Sequence, residues 1–449
     1  MKADANRSYF PHWNVRTEGV IAPDERLPAP QTVALGLQHV VAMFGSTVLA
    51  PLLMGFSPNV AILFSGIGTL IFFAVVGGRV PSYLGSSFAF IAVVIAATGY
   101  GGSGPNANLG VALSGIIACG VVYALIGLVV MAIGYRWIDR LMPPVVTGSV
   151  VAVIGLNLAP IAVKGISGSA LDTWVGLATI VMVGLIAVRA PGLARRLPIL
   201  LGGIAGYVLY ALCTNVLGLG KPIDFSSVAS SSWIGLPSFT TPVWSAQAIG
   251  LIAPVAVVLV AENLGHVKAV AAMTGRDLDP YLGRAFLGDA IATIVAGAGG
   301  GTGVTTYAEN IGVMAVTKVY STLLFVVAAL IAILLGFSPK FGALISTIPG
   351  PVLGGLAVVV FGLITATGGR IWVTNNVDFS RARNLVTAAA ALTFGAGDLG
   401  LKLGGFTLGG IGTATFGAII LYQLFRDEGS QTTLDERSHE GTRQSESRV

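Results

Sequence analysis

Five ionisable residues sit inside otherwise apolar stretches of this chain: His39, Glu262, His266, Asp289 and Glu309. A charge in hydrocarbon is costly, so each marks a functional candidate by default. Glu262 and His266 are four apart, hence one turn apart on one helix face. Glu309 follows the Gly-rich stretch GAGGGTGVTTY at 297–307 and opens a short apolar segment. A helix that starts inside the membrane presents free backbone N–H groups and its positive dipole end, and Gly-rich backbone lets a ligand approach closely. Two carboxylates beside such donors suit a flat, neutral ligand with alternating N–H donors and carbonyl acceptors. The carboxylates take the N–H groups and the backbone serves the carbonyls. A carboxylate buried away from any fixed cation is also able to carry a proton. Plainer readings stand beside these. Glu309 suits a first-turn acid complementing the helix dipole, and Glu262 a packing pair with His266 or Lys268. His39 suits a structural hydrogen bond, Asp289 a tie between segments. Phe88, on a second short apolar segment, is placed to stack on a planar ring or simply to pack.

These residues must be positioned by membrane-embedded elements. Of 449 residues, 54% are hydrophobic and 10% charged, and the mean hydropathy is +0.84. Soluble domains carry roughly 25% charged residues. The excess apolar content excludes a soluble enzyme, a nucleic-acid binder, a disulfide scaffold and a disordered chain. What remains is a polytopic membrane protein whose main partner is the lipid bilayer. Cys119 and Cys213 both lie in apolar runs, where thiols act as small buried hydrophobes. The first 28 residues are polar, with no signal-peptide pattern. Residues 426–449 are rich in Glu, Ser, Arg and Thr and read as a disordered tail.

A span takes about 20 apolar residues. Long candidates lie near 31–54, 59–78, 108–133, 141–163, 173–189, 197–217, 244–270, 283–299, 319–337, 343–367, 384–400 and 403–424. Two apolar stretches, 86–97 and 309–317, are too short to span, and each follows an extended-looking segment ending in tyrosine, RVPSY at 79–83 and GTGVTTY at 301–307. With these two the expectation is 14 segments. With a cytoplasmic N-terminus, the cytoplasmic loops hold 13 Lys and Arg residues and the opposite loops hold Lys164, Lys221, Lys340 and Lys402. The positive-inside rule therefore predicts both termini cytoplasmic.

A shift of 224 residues lays Thr69 on Thr293, Gly77 on Gly301, Tyr83 on Tyr307 and Gln38 on Glu262. A shift of 207 lays Pro144-Val145 on Pro351-Val352 and Ile154-Gly155-Leu156 on Phe361-Gly362-Leu363. Seven segments per copy is an odd number, so the second copy enters from the opposite side. Such inverted repeats build secondary transporters with a midplane site between interrupted helices. No ATP-binding or metal motif competes. Gly220-Lys221 is followed by Pro222 where a P-loop needs Ser or Thr, no H-E-x-x-H occurs, and the histidines and cysteines lack metal-ligand spacing. No cofactor is expected, and a gradient must drive the work.

At Glu309-Asn310-Ile311-Gly312, followed by Thr317-Lys318, the chain resembles the nucleobase–cation symporter (nucleobase–ascorbate transporter) family. The resemblance extends to Gln38-His39 with AMFG at 42–45, to YLGSSF at 83–88 and to AENLGH at 261–266. From about residue 11 to 424 it is of the bacterial uracil permease type, and the opening GVIAPDERLP at 19–28 is similar to pyrimidine permeases of pyrimidine-utilisation operons. The resemblance implies an all-α fold of 14 transmembrane segments in two inverted seven-segment repeats, segments 3 and 10 being a short strand plus a half-helix. It implies a cytoplasmic tail at 1–28, a core domain at 29–135 and 241–338 (segments 1–4 and 8–11), and a gate domain at 136–240 and 339–425 (segments 5–7 and 12–14). Glu262 and Glu309 would bind substrate, Phe88 would stack on the base, the Ala308 backbone would add a hydrogen bond, and Ser46, Tyr307 and Phe361 would line the pocket. Glu262, His266 and Glu309 would handle the proton, with His39, Asp289, Asn310 and Thr317 in support. Members dimerise, largely through the gate. Two departures stand out: Phe361 replaces a tyrosine of some uracil permeases, and Ala308 replaces a glycine.

The expectation is a proton-coupled importer of uracil or a related pyrimidine base in a bacterial inner membrane, binding neither nucleic acid nor metal. Purine-selective relatives often carry Gln where Glu309 stands, which ranks a xanthine or urate permease second. A passive channel for small neutral solutes ranks below both, since it has no use for buried carboxylates at interrupted helices.

Overall fold

The computed structural model describes residues 8–425, apart from 103, 193, 404 and 405. The chain opens with two dipeptide strands, β1 (Asn14–Val15) and β2 (Glu25–Arg26), paired in parallel. Helices α1 (Ala29–Met54) and α2 (Pro58–Val75) follow. Strand β3 (Leu84–Ser86) leads through a 3-10 turn into α3 (Ile91–Thr98), α4 (Leu109–Ile133), α5 (Arg136–Leu141), α6 (Pro144–Ile166), α7 (Ala170–Arg189) and α8 (Pro198–Ala211). The last of these continues as a π-helical turn to Val216. Next come α9 (Ser226–Ser230), α10 (Ala246–Ile252), α11 (Val255–Thr274) and α12 (Leu282–Ala298). Strand β4 (Val304–Thr306) leads into α13 (Ala308–Thr317), α14 (Thr322–Gly336), α15 (Pro339–Ser346), α16 (Gly350–Thr374) and α17 (Ala382–Ala396). A hairpin, β5 (Leu401–Leu403) with β6 (Phe406–Leu408), precedes α18 (Gly410–Leu424).

Proline sets a third of the eighteen described α-helix starts, because its fixed φ and missing N–H suit the first turn. It stands in the first turn of α1, α2, α6, α8, α15 and α16. Among the described residues, eight helical stretches are long and apolar enough to cross a membrane: α1, α2, α4, α6, α7, 198–216, 246–274 and α16. The pair α14 and α15, bent by 81° at its break, adds one more if taken as a single broken span. The protein is thus a mostly helical polytopic chain.

Several expected segments are shifted, and prolines account for most of the shifts. The 141–163 segment runs from Pro144 to Ile166, and the 343–367 segment begins only at Gly350, after Pro349. The 244–270 segment is interrupted before Val255, where Pro254 stands. The 403–424 segment starts as a hairpin instead of a helix, since Phe406-Thr407-Leu408 pairs with Leu401-Lys402-Leu403; aromatic and β-branched residues favour a strand there. The expected tail at 426–449 lies outside the described residues. Residues 8–28, read from sequence as a polar tail, fold back on the helices, and Ile21 is fully buried among Leu27, Val319 and Leu324.

Helices approach closely where glycine faces a neighbour. α4 packs along α12, and α6 along α16. A Cβ on Gly155 would come within 2.2 Å of the Phe361 carbonyl oxygen, and one on Gly120 within 2.6 Å of Ile294. Small residues of this kind let backbones meet in a membrane, where dispersion must replace the hydrophobic effect.

Candidate functional site

The two short strands come from opposite halves of the sequence and meet antiparallel. Leu84 lies opposite Thr306, Gly85 opposite Thr305, and Ser86 opposite Val304. Ser87 N–H extends the pairing to Gly303 O at 3.0 Å. All six strand residues are buried. Non-helical backbone at membrane depth survives only where protein satisfies it, and here neighbouring hydroxyls do so. Thr69 Oγ1, on α2, accepts the Leu84 N–H at 2.9 Å. Thr293 Oγ1, on α12, accepts the Val304 N–H at 3.2 Å and donates to Val304 O at 3.0 Å. The Tyr83–Tyr307 correspondence does not survive at the level of the strands. Tyr83 precedes β3, whereas Tyr307 follows β4 and caps α13. Equivalent strand residues are therefore offset from the 224-residue shift that relates the two threonines, and RVPSY ends where the strand begins.

Around this pair the candidate residues gather. Glu262, half-buried on α11, accepts from Ser87 Oγ at 3.4 Å. Glu309, the second residue of α13 and half-buried, lies within electrostatic reach of Glu262. His266, one turn below Glu262, shares a hydrogen bond between Nδ1 and Thr306 Oγ1 at 2.9 Å, its direction set by the tautomer. Tyr307 donates its hydroxyl to Ser86 O at 2.8 Å, so its ring crosses from one strand to the other. Phe88 meets Phe361 of α16 edge to face, with centroids 5.9 Å apart. Ala308, the first residue of α13, is exposed. Residue 46 falls on α1, but its side chain lies outside the described residues.

The other four candidates lie on α1, α12 and α13. His39 is buried on α1, and its Nδ1 meets Asn310 Nδ2 at 2.8 Å, while its ring packs edge-on to Phe325. Asp289 is fully buried. Its Oδ2 accepts from Asn263 Nδ2 at 2.6 Å and from Thr305 Oγ1 at 3.3 Å. Asn263 also reaches the Tyr123 hydroxyl at 2.9 Å. Through these bonds Asp289 links α12 to α11, α4 and β4. Thr317 stands apart from the strands, its hydroxyl bonded to Val313 O one turn back.

Sequence reasoning passed over Ser87, Thr306 and Asn263. The signal for all three was present: hydroxyls inside YLGSSF and GTGVTTY, and an amide beside Glu262 in an apolar helix. No group of three or more His, Cys, Asp or Glu residues able to hold a metal occurs among the described residues. Chemically, the arrangement offers two carboxylates, a hydroxyl and a half-helix N-terminus at one crossing point, walled on one side by aromatic rings.

Short helices that begin beside a buried strand pair, in a chain with eight helical stretches apolar and long enough to cross a membrane among the described residues, suit a membrane transport protein, and comparison with known proteins makes the class specific. Residues 30–402 match the Xan_ur_permease family model, described as Permease family, and the chain belongs to this family of multi-pass membrane proteins. It is 65% identical to RutG of Escherichia coli K12, a candidate pyrimidine permease, over 92% of this chain and 95% of that protein. It is 42% identical to the uracil permease of Bacillus caldolyticus over 86% of this chain and 89% of that one. It is 37% identical to the uracil permease of Escherichia coli K12, over 91% and 95%. These relatives are named as permeases, not enzymes. The fold is also similar to the transmembrane domain of the cyanobacterial bicarbonate transporter BicA, with a TM-score of 0.58 at 15% identity over 86% of this chain and 96% of that one. It is likewise similar to the murine anion transporter Slc26a9 in its inward-facing state, with a TM-score of 0.64 at 12% identity over 88% and 68%.

Proposed function

We propose that this protein imports uracil across a bacterial inner membrane in symport with protons. The observation that carries the reading is the placing of Glu262 and Glu309 around one strand crossing, with Ser87 on one of them and an α-helix N-terminus behind the other. Uracil presents two N–H donors and two carbonyls around a flat ring. Carboxylate oxygens match the donors, and the first-turn N–H groups of α13 match a carbonyl. The aromatic pair Phe88 and Phe361 offers the ring a wall, and the likeness to uracil permeases supports a pyrimidine over a purine.

In this mechanism the carboxylate of Glu262 holds the co-transported proton while the base is bound. Release on the cytoplasmic side follows deprotonation, with His266 one turn away along the exit path. Residues 29–135 and 241–338 form a core that moves against a gate formed by 136–240 and 339–425. The 14 segments are two inverted copies of seven, both termini are cytoplasmic, and two chains associate through their gates.

Uptake of labelled uracil into permease-deficient cells tests this, with and without a protonophore and with excess unlabelled xanthine. Accumulation abolished by the protonophore and untouched by xanthine is expected. Competition by xanthine moves the substrate to purines, and equilibration that ignores the protonophore makes the protein a passive channel.

A further inference from the structure

Residues 8–28 lie far in sequence from α13, yet they hold its outer end. That helix begins with Ala308 and Glu309 at the strand crossing and closes at Lys318, whose φ of 58 places it in the left-handed region. The four residues between α13 and α14 would leave backbone groups unpartnered. The N-terminal segment supplies the partners. Ile21 N–H donates to Lys318 O at 3.0 Å, and Tyr320 N–H donates to Ile21 O at 2.8 Å. Thr322 N–H and its hydroxyl both donate to Pro23 O, at 3.1 and 3.0 Å, and Trp13 Nε1 donates to Thr322 Oγ1 at 3.0 Å. Ile21 is 1% exposed, in a small apolar cluster separate from the main core.

The segment is itself anchored elsewhere. Tyr9 donates its hydroxyl to the carbonyls of Ala74 and Val75 at the end of α2, at 2.8 and 3.0 Å. Phe10 and Trp13 both stack on Phe73. Arg79 donates to Ser8 O at 2.9 Å, Arg284 lies over the Tyr9 ring, and Asp24 pairs with Arg276 after α11. Every one of these partners falls in 29–135 or 241–338, so the strap travels with the core.

We infer that Trp13 and Ile21 are positioning residues for substrate binding. Through the strap they fix the far end of α13, and a helix of ten residues, about 15 Å long, transmits that hold to Glu309. No contact between strap and substrate is needed. The affinity arm of the test rests on the uracil reading above; the exchange arm does not.

The test compares the full chain with Ile21→Asp, which buries a charge in the small cluster, and with Thr322→Val, which removes the hydroxyl linking Trp13 to Pro23 without adding a charge. Ile21→Val is the conservative control. In purified protein, amide hydrogen exchange at 312–317 should quicken in both variants relative to the amides within α14, and not in the control. In uptake assays, KM for uracil should rise at least about tenfold for Ile21→Asp, with maximal rate per molecule in the membrane within about twofold. Exchange at 312–317 equal to the parent in Thr322→Val overturns the inference. So does quickened exchange with an unchanged KM, or a loss confined to membrane abundance. If the parent chain itself takes up no uracil, the uracil reading fails while the exchange comparison still decides whether the strap holds α13.

Discussion

In the proposed binding mode Glu309 and Glu262 meet the ligand from different supports, and their replacement should read out differently. At Glu309, exchange for Gln swaps an acceptor oxygen for an N–H₂ that faces the ligand's own N–H. Equilibrium binding to purified protein should show affinity for uracil weakened about tenfold or more, a loss of about 1.4 kcal/mol, with membrane abundance retained; parent-like affinity would sink the contact. At Glu262, exchange for Gln removes the proton-carrying carboxylate of the proposed mechanism. Concentrative uptake should disappear while binding persists, and full accumulation with the parent's pH dependence would rule out the proton role. Asp289 belongs to the supports, since its Oδ2 receives Asn263 and Thr305 in a buried site. Asp289→Ala removes the acceptor of Thr305 Oγ1 and one of the two acceptors of Asn263 Nδ2, at a cost of about 1–3 kcal/mol. A lowered melting temperature in detergent checks this, and a melting temperature equal to the parent's would remove Asp289 from the network.

The strand pair is the element on which the site depends, and its tolerance is set by backbone space. Gly85 faces the Tyr307 ring so closely that a Cβ there would stand 2.4 Å from Cε2. Gly85→Ala must displace the tyrosine that bonds Ser86 O. Uracil affinity should fall at least about tenfold, and a binding isotherm unchanged from the parent would show that the tyrosine relocates freely. Gly184 on α7 meets nothing within 4 Å. Gly184→Ala should therefore leave uptake unchanged and raise stability by up to about 1 kcal/mol, the helix-propensity difference. Thr69 of α2 and Thr293 of α12 brace the strand backbone and so tie both helices to the elements that carry the candidate residues.

For the whole molecule, α5 links two groups of helices. Asp139 pairs with Lys268 of α11 at 3.1 Å, and Tyr135 donates to Asp279, while Gln423 of α18 donates to Arg140 O at 2.8 Å. The pair is half-exposed, so its worth to stability is at most about 1 kcal/mol. The proposed orientation of the chain rests on its Lys and Arg distribution. Cysteines placed at Lys221 and Lys402 should react with an impermeant maleimide on intact cells, and cysteines at Arg136 and Arg381 only after permeabilisation. The reverse pattern would invert the topology.

Composition and charge by themselves determined that this chain lives in a bilayer, because a 10% charged content cannot cover a soluble surface. Spacing likewise singled out Glu262, His266 and Glu309, since ionisable groups in apolar runs are too costly to be incidental. The interruption of segments at 86–97 and 309–317 was legible from length alone. Several things were settled only by packing. Which residues of YLGSSF and GTGVTTY form strands depends on the register between two segments some 220 residues apart, and local propensity carries no information on such a pairing. The same holds for Ser87 on Glu262 and for Asn263 between Tyr123 and Asp289, where each partner comes from another helix. The docking of residues 8–28 was hidden for a further reason. A polar segment shows its fold only when the backbone groups it satisfies, here those at 318–322, are already in place.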